Sequence, residues 1–323
     1  MKRETGEMEA TRSWRDHVQT VVDRGRRSLG MLGRSTVAPP PEPPGAEVRS
    51  GWWDLLPFTA HNIELAAGIG TNPGALPPTD DLRIQVLVDA CGGSVRDRRV
   101  LDLGCLEGGY TLALAALGAE AVGIEAREIS IRRCELAKSL TRAERASFVH
   151  ADLVDELTRQ PAADAVLATG ILYHFADPFD VLRRIRTLQP SVLLIDTHVA
   201  SDTVTHNCSN YVERMSGGYA FRGRLFHEFD HDISTEERDA MVWAAWSDED
   251  AFWPTEDELV RMIELAGFDD VRRVDNPNGV AWQVDQRNRV MYLATSGADH
   301  VEPEPEGDGD LHRVEGDETT GSG

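Results

Sequence analysis

Between about residue 80 and residue 296 the chain alternates two hydrophobic patterns. Short, nearly continuous apolar runs bounded by polar residues predict strands at 99–104, 121–125, 147–150, 164–168 and 191–196. Longer stretches with helical spacing predict helices near 80–92, 109–118, 128–140, 177–188 and 255–266. Two late strands are expected near 269–274 and 288–296. Strand–helix alternation of this kind predicts an α/β fold: a doubly wound, mostly parallel seven-stranded sheet with helices on both faces. Residues 198–252 break the alternation. That stretch is rich in His, Trp, Tyr, Phe and Arg and too long for a structureless loop, so it predicts an insertion with structure of its own.

The flanks read differently. In residues 1–48, Trp14, Val18, Val21 and Val22 can line a short amphipathic helix, but APPPEPPGAE (38–47) cannot fold compactly. This stretch is expected to be a flexible arm before a domain over 49–298. Residues 299–323 have the composition of a disordered acidic tail.

Composition narrows the partners. Net charge is −22; the first 50 residues carry +2 and the last 25 carry −8, which leaves −16 on the stretch between them. Such a balance argues against broad polyanion binding, so a nucleic-acid partner is not expected. No apolar run approaches the roughly 20 residues that span a bilayer, and the N-terminus lacks a secretory apolar segment. Cys91, Cys105, Cys134 and Cys208 show no C-x-x-C spacing. A cytoplasmic protein with reduced, buried thiols and no membrane partner is expected.

The chemistry begins at VLDLGCLEGGY (100–110). An apolar strand stops on Asp102, a turn follows with Gly104, Gly108 and Gly109, and TLALAALGA opens a helix at once. Strand carboxyl ends of open α/β sheets face the ligand crevice, and a helix N-terminus points free N–H groups into it. The second strand, AVGIEA, ends on Glu125, placed to accept from both hydroxyls of a ribose. The third gives FVHADL, with Asp152 just past its end, and the fourth gives DAVLATGILYHFADP.

In that order these four segments resemble the successive motifs of class I S-adenosylmethionine-dependent methyltransferases. The likeness covers about residues 95–200, and 254–296 is similar to the family's closing helix and antiparallel hairpin. It implies a Rossmann-like sheet with a C-terminal antiparallel strand, and S-adenosyl-L-methionine as cofactor. It implies the methionine moiety against Asp102, Gly104, Glu107 and Gly108, the ribose on Glu125, and the adenine against Ala126, Asp152 and Leu153. Gly170 and Ile171 would pass beneath the sulfonium. Leu106 stands where the family's turn has its second glycine, so the backbone there is expected to curve without positive φ. Each acid also has a local use: Asp102 can cap the turn, Glu107 the next helix, and Asp152 the helix starting at Leu153.

Tyr173 and His174 end the fourth segment where the methyl group should emerge, and His174 is the candidate base. The same ring can instead tie down the loop before Asp177–Pro178. His227, Asp230 and His231 would share one face if RLFHEFDHD were helical, a spacing compatible with metal ligands. A solvated acidic lid explains these residues more simply, and no metal ligand is assigned. Trp52, Trp53 and Phe58 form one aromatic group, and Trp243, Trp246, Phe252 and Trp253 another. WWDLLPFTAHNIELAAGIGTNPG resembles the segment that closes over the cofactor in small-molecule methyltransferases, where His61 or Glu64 would face the acceptor.

The resulting expectation is a methyltransferase acting on a small-molecule acceptor, at a hydroxyl. Two alternatives stay open. The G-x-L-Y-H-x-x-x-P and F-W-P-T segments are also similar to the tRNA wobble-uridine carboxymethyltransferase group, for which Arg214, Arg222 and Arg224 are candidate cations for the donor's extra carboxylate. The other is a non-catalytic scaffold that binds the cofactor.

Overall fold

A computed structural model describes Phe58 and residues 60–66, 69–72, 75–203, 206–275 and 288–297. The N-terminal arm with its amphipathic positions, Trp52, Trp53 and the acidic tail lie outside the described residues. The described strands are β1 (Glu64–Ala66), β2 (Ile69–Gly70), β3 (Arg99–Leu103), β4 (Glu120–Glu125), β5 (Ala146–His150), β6 (Ala165–Thr169), β7 (Val192–His198), β8 (Cys208–Ser216), β9 (Tyr219–His227), β10 (Asp250–Pro254), β11 (Asp270–Arg273) and β12 (Arg289–Thr295). The α-helices are α1 (Leu82–Ala90), α2 (Gly109–Ala116), α3 (Glu128–Thr141), α4 (Leu153–Leu157), α5 (Pro178–Thr187), α6 (Thr235–Ala240) and α7 (Glu256–Leu265).

Seven strands form the main sheet in the order β11-β12-β7-β6-β3-β4-β5. The pairs from β7 to β5 are parallel, and β12 runs against both of its neighbours. This is the Rossmann-like sheet with its closing antiparallel strand. Because side chains alternate across a strand, each apolar run feeds two cores. Leu101, Leu103, Val166 and Ile195 pack on one face with α5 and α7, while Val100, Leu167 and Leu194 pack on the other with α1 and α2. That two-sided burial is why the strands read as continuous apolar runs. α2, from Gly109 through Ala115, is buried all round. α5 is one-sided: Asp177 caps it by accepting from Asp180 N, Pro178 opens it, and Phe179, Val181, Leu182 and Ile185 face the core.

β3 is the centre of the arrangement. The chain moves to β4 and β5 on one side of it and to β6 and β7 on the other. The carboxyl ends at this reversal bound the crevice where open α/β sheets bind ligands.

The insertion is a second, three-stranded antiparallel sheet in the order β10-β9-β8. Its β9 takes in Arg224–His227, and residues 228–232 form no helix, so RLFHEFDHD is not a helix and its histidines and Asp230 do not share a helical face. Strand pairing to β10 holds this segment extended, with His227 opposite Asp250. No described helix is long and apolar enough to cross a membrane.

Candidate active site

The turn after β3 is built from residues in the left-handed region. Gly104, Leu106 and Gly108 have φ of +65°, +51° and +78°. The expectation for Leu106 is therefore corrected: its backbone does take positive φ, at a cost of about 1–2 kcal/mol for an L-residue. Two bonds hold it there. Leu106 N donates to Glu125 Oε2 at 3.1 Å, and Cys134 Sγ donates to the Leu106 carbonyl at 3.2 Å. Gly108 is also sterically required, since a Cβ would lie 2.8 Å from the Phe148 ring and 3.0 Å from Cys134 Sγ.

Asp102 and Glu125 end neighbouring parallel strands, and both are buried. Thr111 Oγ1 donates to Asp102 Oδ2 at 2.7 Å, which ties the strand end to α2. Burial pushes the Asp102 carboxyl up to about 6, against the bonds from Thr111. Burial also raises Glu125, opposed by the bonds from Arg127 and Leu106. Arg127 N donates to Glu125 Oε1 at 2.8 Å, so each carboxylate oxygen carries one backbone N–H and keeps a lone pair to accept another donor. Asp152 Oδ1 accepts from Val154 N at 2.9 Å and caps α4. Leu153 is buried beside it, and the Ala126 carbonyl lies 2.9 Å from His150 Nε2.

Glu107 is fully buried. Its Oε2 accepts from Ala60 N and His61 N at 3.0 and 3.3 Å, and its Oε1 from Arg133 at 3.3 Å. The segment before the sheet is thereby pinned across the glycine turn. His61 sits on the first turn of α2, its Nδ1 accepting from Gly109 N at 3.2 Å, and burial lowers its pKa.

At the other side of the crevice Gly170 follows β6 with φ +76°. Among the described residues a Cβ there would meet Arg289 at 3.5 Å and the Tyr173 hydroxyl at 3.8 Å, so none of them crowds the strand end. Tyr173 and His174 lie in the single turn Leu172–His174 that follows. His174 Nδ1 is 2.8 Å from Glu228 Oε1, and both side chains are nearly buried. Glu228 Oε2 accepts from Ala245 N at 3.1 Å. Tyr173 packs edge-on against His198 and Trp253, and Trp253 lies flat between His198 at 5.0 Å and Phe226 at 4.3 Å. Burial and the Arg289 charge lower His198 to about 4. Arg289 Nε donates to Asp196 Oδ1 at 2.6 Å, and Arg83 pairs with the other oxygen of that buried carboxylate at 3.1 Å. Burial works against the Arg289 charge, but Asp196 and Tyr173 outweigh it and push its pKa up.

Sequence reasoning missed Glu228, Asp196 and Arg289. Glu228 lies inside an acidic run read as a solvated lid, and Arg289 stands at the edge of a late strand. Asp196 did carry a signal: an acid ending an otherwise apolar run, like Asp102 and Glu125. The exposed His227 lies 2.9 Å from Asp250 and 3.2 Å from Asp230, and His231 pairs with Glu249. Among the described residues no group of three or more His, Cys, Asp or Glu could hold a metal ion.

The residues present fit an adenosyl cofactor. The left-handed turn brings backbone close to the crevice, a buried carboxylate with lone pairs to spare ends the next strand, and no described residue crowds Gly170.

Comparison with known proteins agrees. A family model described as a methyltransferase domain matches residues 77–273. The chain is 26% identical over 210 residues to the tRNA U34 carboxymethyltransferase of Edwardsiella ictaluri (strain 93-146), a match covering 64% of this chain and 55% of that protein. It is 31% identical over 98 residues to the 23S rRNA (uracil(1939)-C(5))-methyltransferase RlmD of Shewanella halifaxensis (strain HAW-EB4), covering 30% of this chain and 22% of that one. The chain thus spans about half the length of the curated carboxymethyltransferase it matches, 55% of it. Among solved structures, the N-terminal domain of EvdMO1, solved in the presence of SAH and D-fucose, matches with a TM-score of 0.57 at 22% identity, over 76% of this chain and 94% of that one. That likeness establishes the fold. The family match covers more than half the chain and takes in the glycine turn, Glu125, Asp152, Tyr173 and His174. The chain belongs to the methyltransferase-domain family, among the S-adenosylmethionine-dependent methyltransferases.

Proposed function

We propose that the chain is a cytoplasmic enzyme that moves a methyl group from S-adenosylmethionine to a hydroxyl of a small-molecule acceptor. The observation that carries this reading is the His174–Glu228 pair in the turn directly after Gly170. A carboxylate only accepts, so a neutral His174 held by it carries its proton on Nδ1. Nε2 then keeps a lone pair for the proton of an acceptor hydroxyl. The cofactor, when bound, supplies a methyl group on a good leaving group, so positioning and deprotonation are what remain for the protein. His174 would take the proton of the acceptor hydroxyl as that oxygen becomes methylated, and Glu228 would steady the resulting imidazolium.

On the cofactor side, Glu125 would hold the ribose and Ala126, Asp152 and Leu153 the adenine. Asp102, Gly104 and Gly108 would line the methionine end. Glu107 would act from behind, by holding residues 60 and 61 over the turn. The stack of Phe226, Trp253 and His198, with Tyr173 on its edge, suits the apolar face of a sugar or another ring. EvdMO1, whose domain was solved with D-fucose, supports that acceptor class.

A second reading follows from Arg289, which among the described residues lies nearest to the space above Gly170. A cation at the methyl outlet suits a donor carrying an extra carboxylate, as the carboxymethyltransferase relative's name suggests. That reading also requires RNA, which the −22 net charge of the chain opposes. Methyl-labelled S-adenosylmethionine, and in parallel the same donor carrying a carboxylate on its labelled methyl carbon, supplied with a pool of glycosylated small molecules or with tRNA at physiological salt, separates the two. Label in the small-molecule fraction supports the first reading, and label in tRNA alone overturns it.

A further inference from the structure

We propose that Arg127 is a positioning residue: it grips the 241–245 segment and through it holds Glu228 on His174. The proposal rests on the reading of His174 as the base. Arg127 follows Glu125 by two residues, at the cofactor end of β4. Its side chain is nearly buried, and one terminal nitrogen donates to the carbonyls of Met241, Ala244 and Ala245 at 2.9, 2.7 and 3.3 Å. The guanidinium also lies over the Trp246 ring at 5.5 Å. A cation this buried is costly unless its donors are matched. Its Nε has no hydrogen-bond partner among the described residues, its other terminal nitrogen lies 4.0 Å from Glu125, and the acceptors it does reach are backbone carbonyls of one short segment. The same segment supplies the amide N–H of Ala245 to Glu228 Oε2, while Glu228 Oε1 meets His174. An unbroken path of direct bonds therefore runs from Glu125 through Arg127, the 244–245 peptide and Glu228 to His174.

Among the described residues no other element of the site makes this connection. His174 is touched by Tyr173 on its own turn, Glu228 approaches from beyond β9, and the His198 ring lies on the far side of Tyr173. Asp248 accepts from Ala176 N, two residues on. Glu228 thus meets the histidine ring with one oxygen and a backbone donor that fixes its rotamer with the other. If the 241–245 segment moves away, the carboxylate loses that donor and the ring loses its orientation.

The test is nitrogen NMR of the His174 ring in wild type, Arg127→Lys and Arg127→Met, with S-adenosylhomocysteine affinity measured on each. Wild type is expected in the Nδ1–H form. Arg127→Met should shift the ring toward the Nε2–H form, while its affinity falls by less than about tenfold because the residue-127 amide still bonds Glu125. Arg127→Lys, which keeps a buried cation on the carbonyls, should recover part of the Nδ1–H population and report the relay even if the Met variant does not fold. An unchanged tautomer in the folded Met variant, or in the Lys variant alone if Met fails to fold, overturns the proposal. The base reading fails separately: a His174→Ala enzyme with full turnover would remove the base whatever the tautomer does in the Arg127 variants.

Discussion

The two sides of the crevice are built on different principles. On the cofactor side the three carboxylates at the strand ends are satisfied nearby in sequence, while Glu107 reaches back to residues 60 and 61: Glu125 takes N–H groups from Leu106 and Arg127, Asp152 one from Val154, and Asp102 the hydroxyl of Thr111. On the acceptor side the partners are remote: His174 with Glu228 across 54 residues, Tyr173 with Trp253 across 80, and Asp196 with Arg289 across 93. Local pairing gives a rigid, stereotyped half that suits an invariant cofactor. Remote pairing lets the insertion choose the acceptor without disturbing that half, as loops on a rigid scaffold do.

The sharpest way to break this division is at His174. His174→Ala should cut turnover by about 10²-fold or more, the scale of a general base, and leave S-adenosylhomocysteine affinity unchanged in calorimetry. A matching loss of affinity would mean that the two halves are not separable.

Asp102 tests the cofactor half through pH. Its folded pKa of about 6 lies above the ordinary carboxylate value, so the fold holds that proton more tightly than the unfolded chain does. The stabilisation is complete below about pH 4 and is lost as pH rises through about 6. Asp102→Asn stays neutral and can still accept from Thr111. It should therefore be more stable than wild type above pH 6, by on the order of 2 kcal/mol, with the gap closing toward pH 4. Urea unfolding at pH 4.5 and 7.5 reads this directly, and a gap independent of pH would contradict it.

Glu125→Ala should weaken S-adenosylhomocysteine binding by about 1–3 kcal/mol, the cost of buried hydroxyls losing their acceptor. Unchanged affinity would sink the ribose role. At the small end, His227→Ala changes an exposed residue of the insertion. Its stability should stay within about 0.5 kcal/mol of wild type, and its activity should be the same in magnesium and in excess chelator. Wild-type activity that requires the metal, and is lost in this variant, would reopen the cluster around His227.

The same division explains what the sequence made legible. The sheet, five of the helices and the crevice acids lie in short contiguous motifs whose chemistry is local. Asp102, Glu125 and Asp152 lie at or just past the ends of strands that announce themselves as apolar runs, and each element end falls within two residues of its expected place. The insertion was recognisable as structured, yet nothing local distinguishes Glu228 from Asp230 or Asp232. Strand pairing between β9 and β10 is what buries the first and leaves the others at the surface. Leu106 failed for another reason: residue type argued against positive φ, but bonds from Glu125 and Cys134 impose it.

One measurement bears on the whole account: a crystal structure of the protein with S-adenosylhomocysteine. The ribose hydroxyls should lie on Glu125, the adenine against Ala126 and Leu153, and the sulfur end should face Gly170 and the His174 turn. A ligand bound elsewhere, or no binding at millimolar concentration in calorimetry, would contradict it.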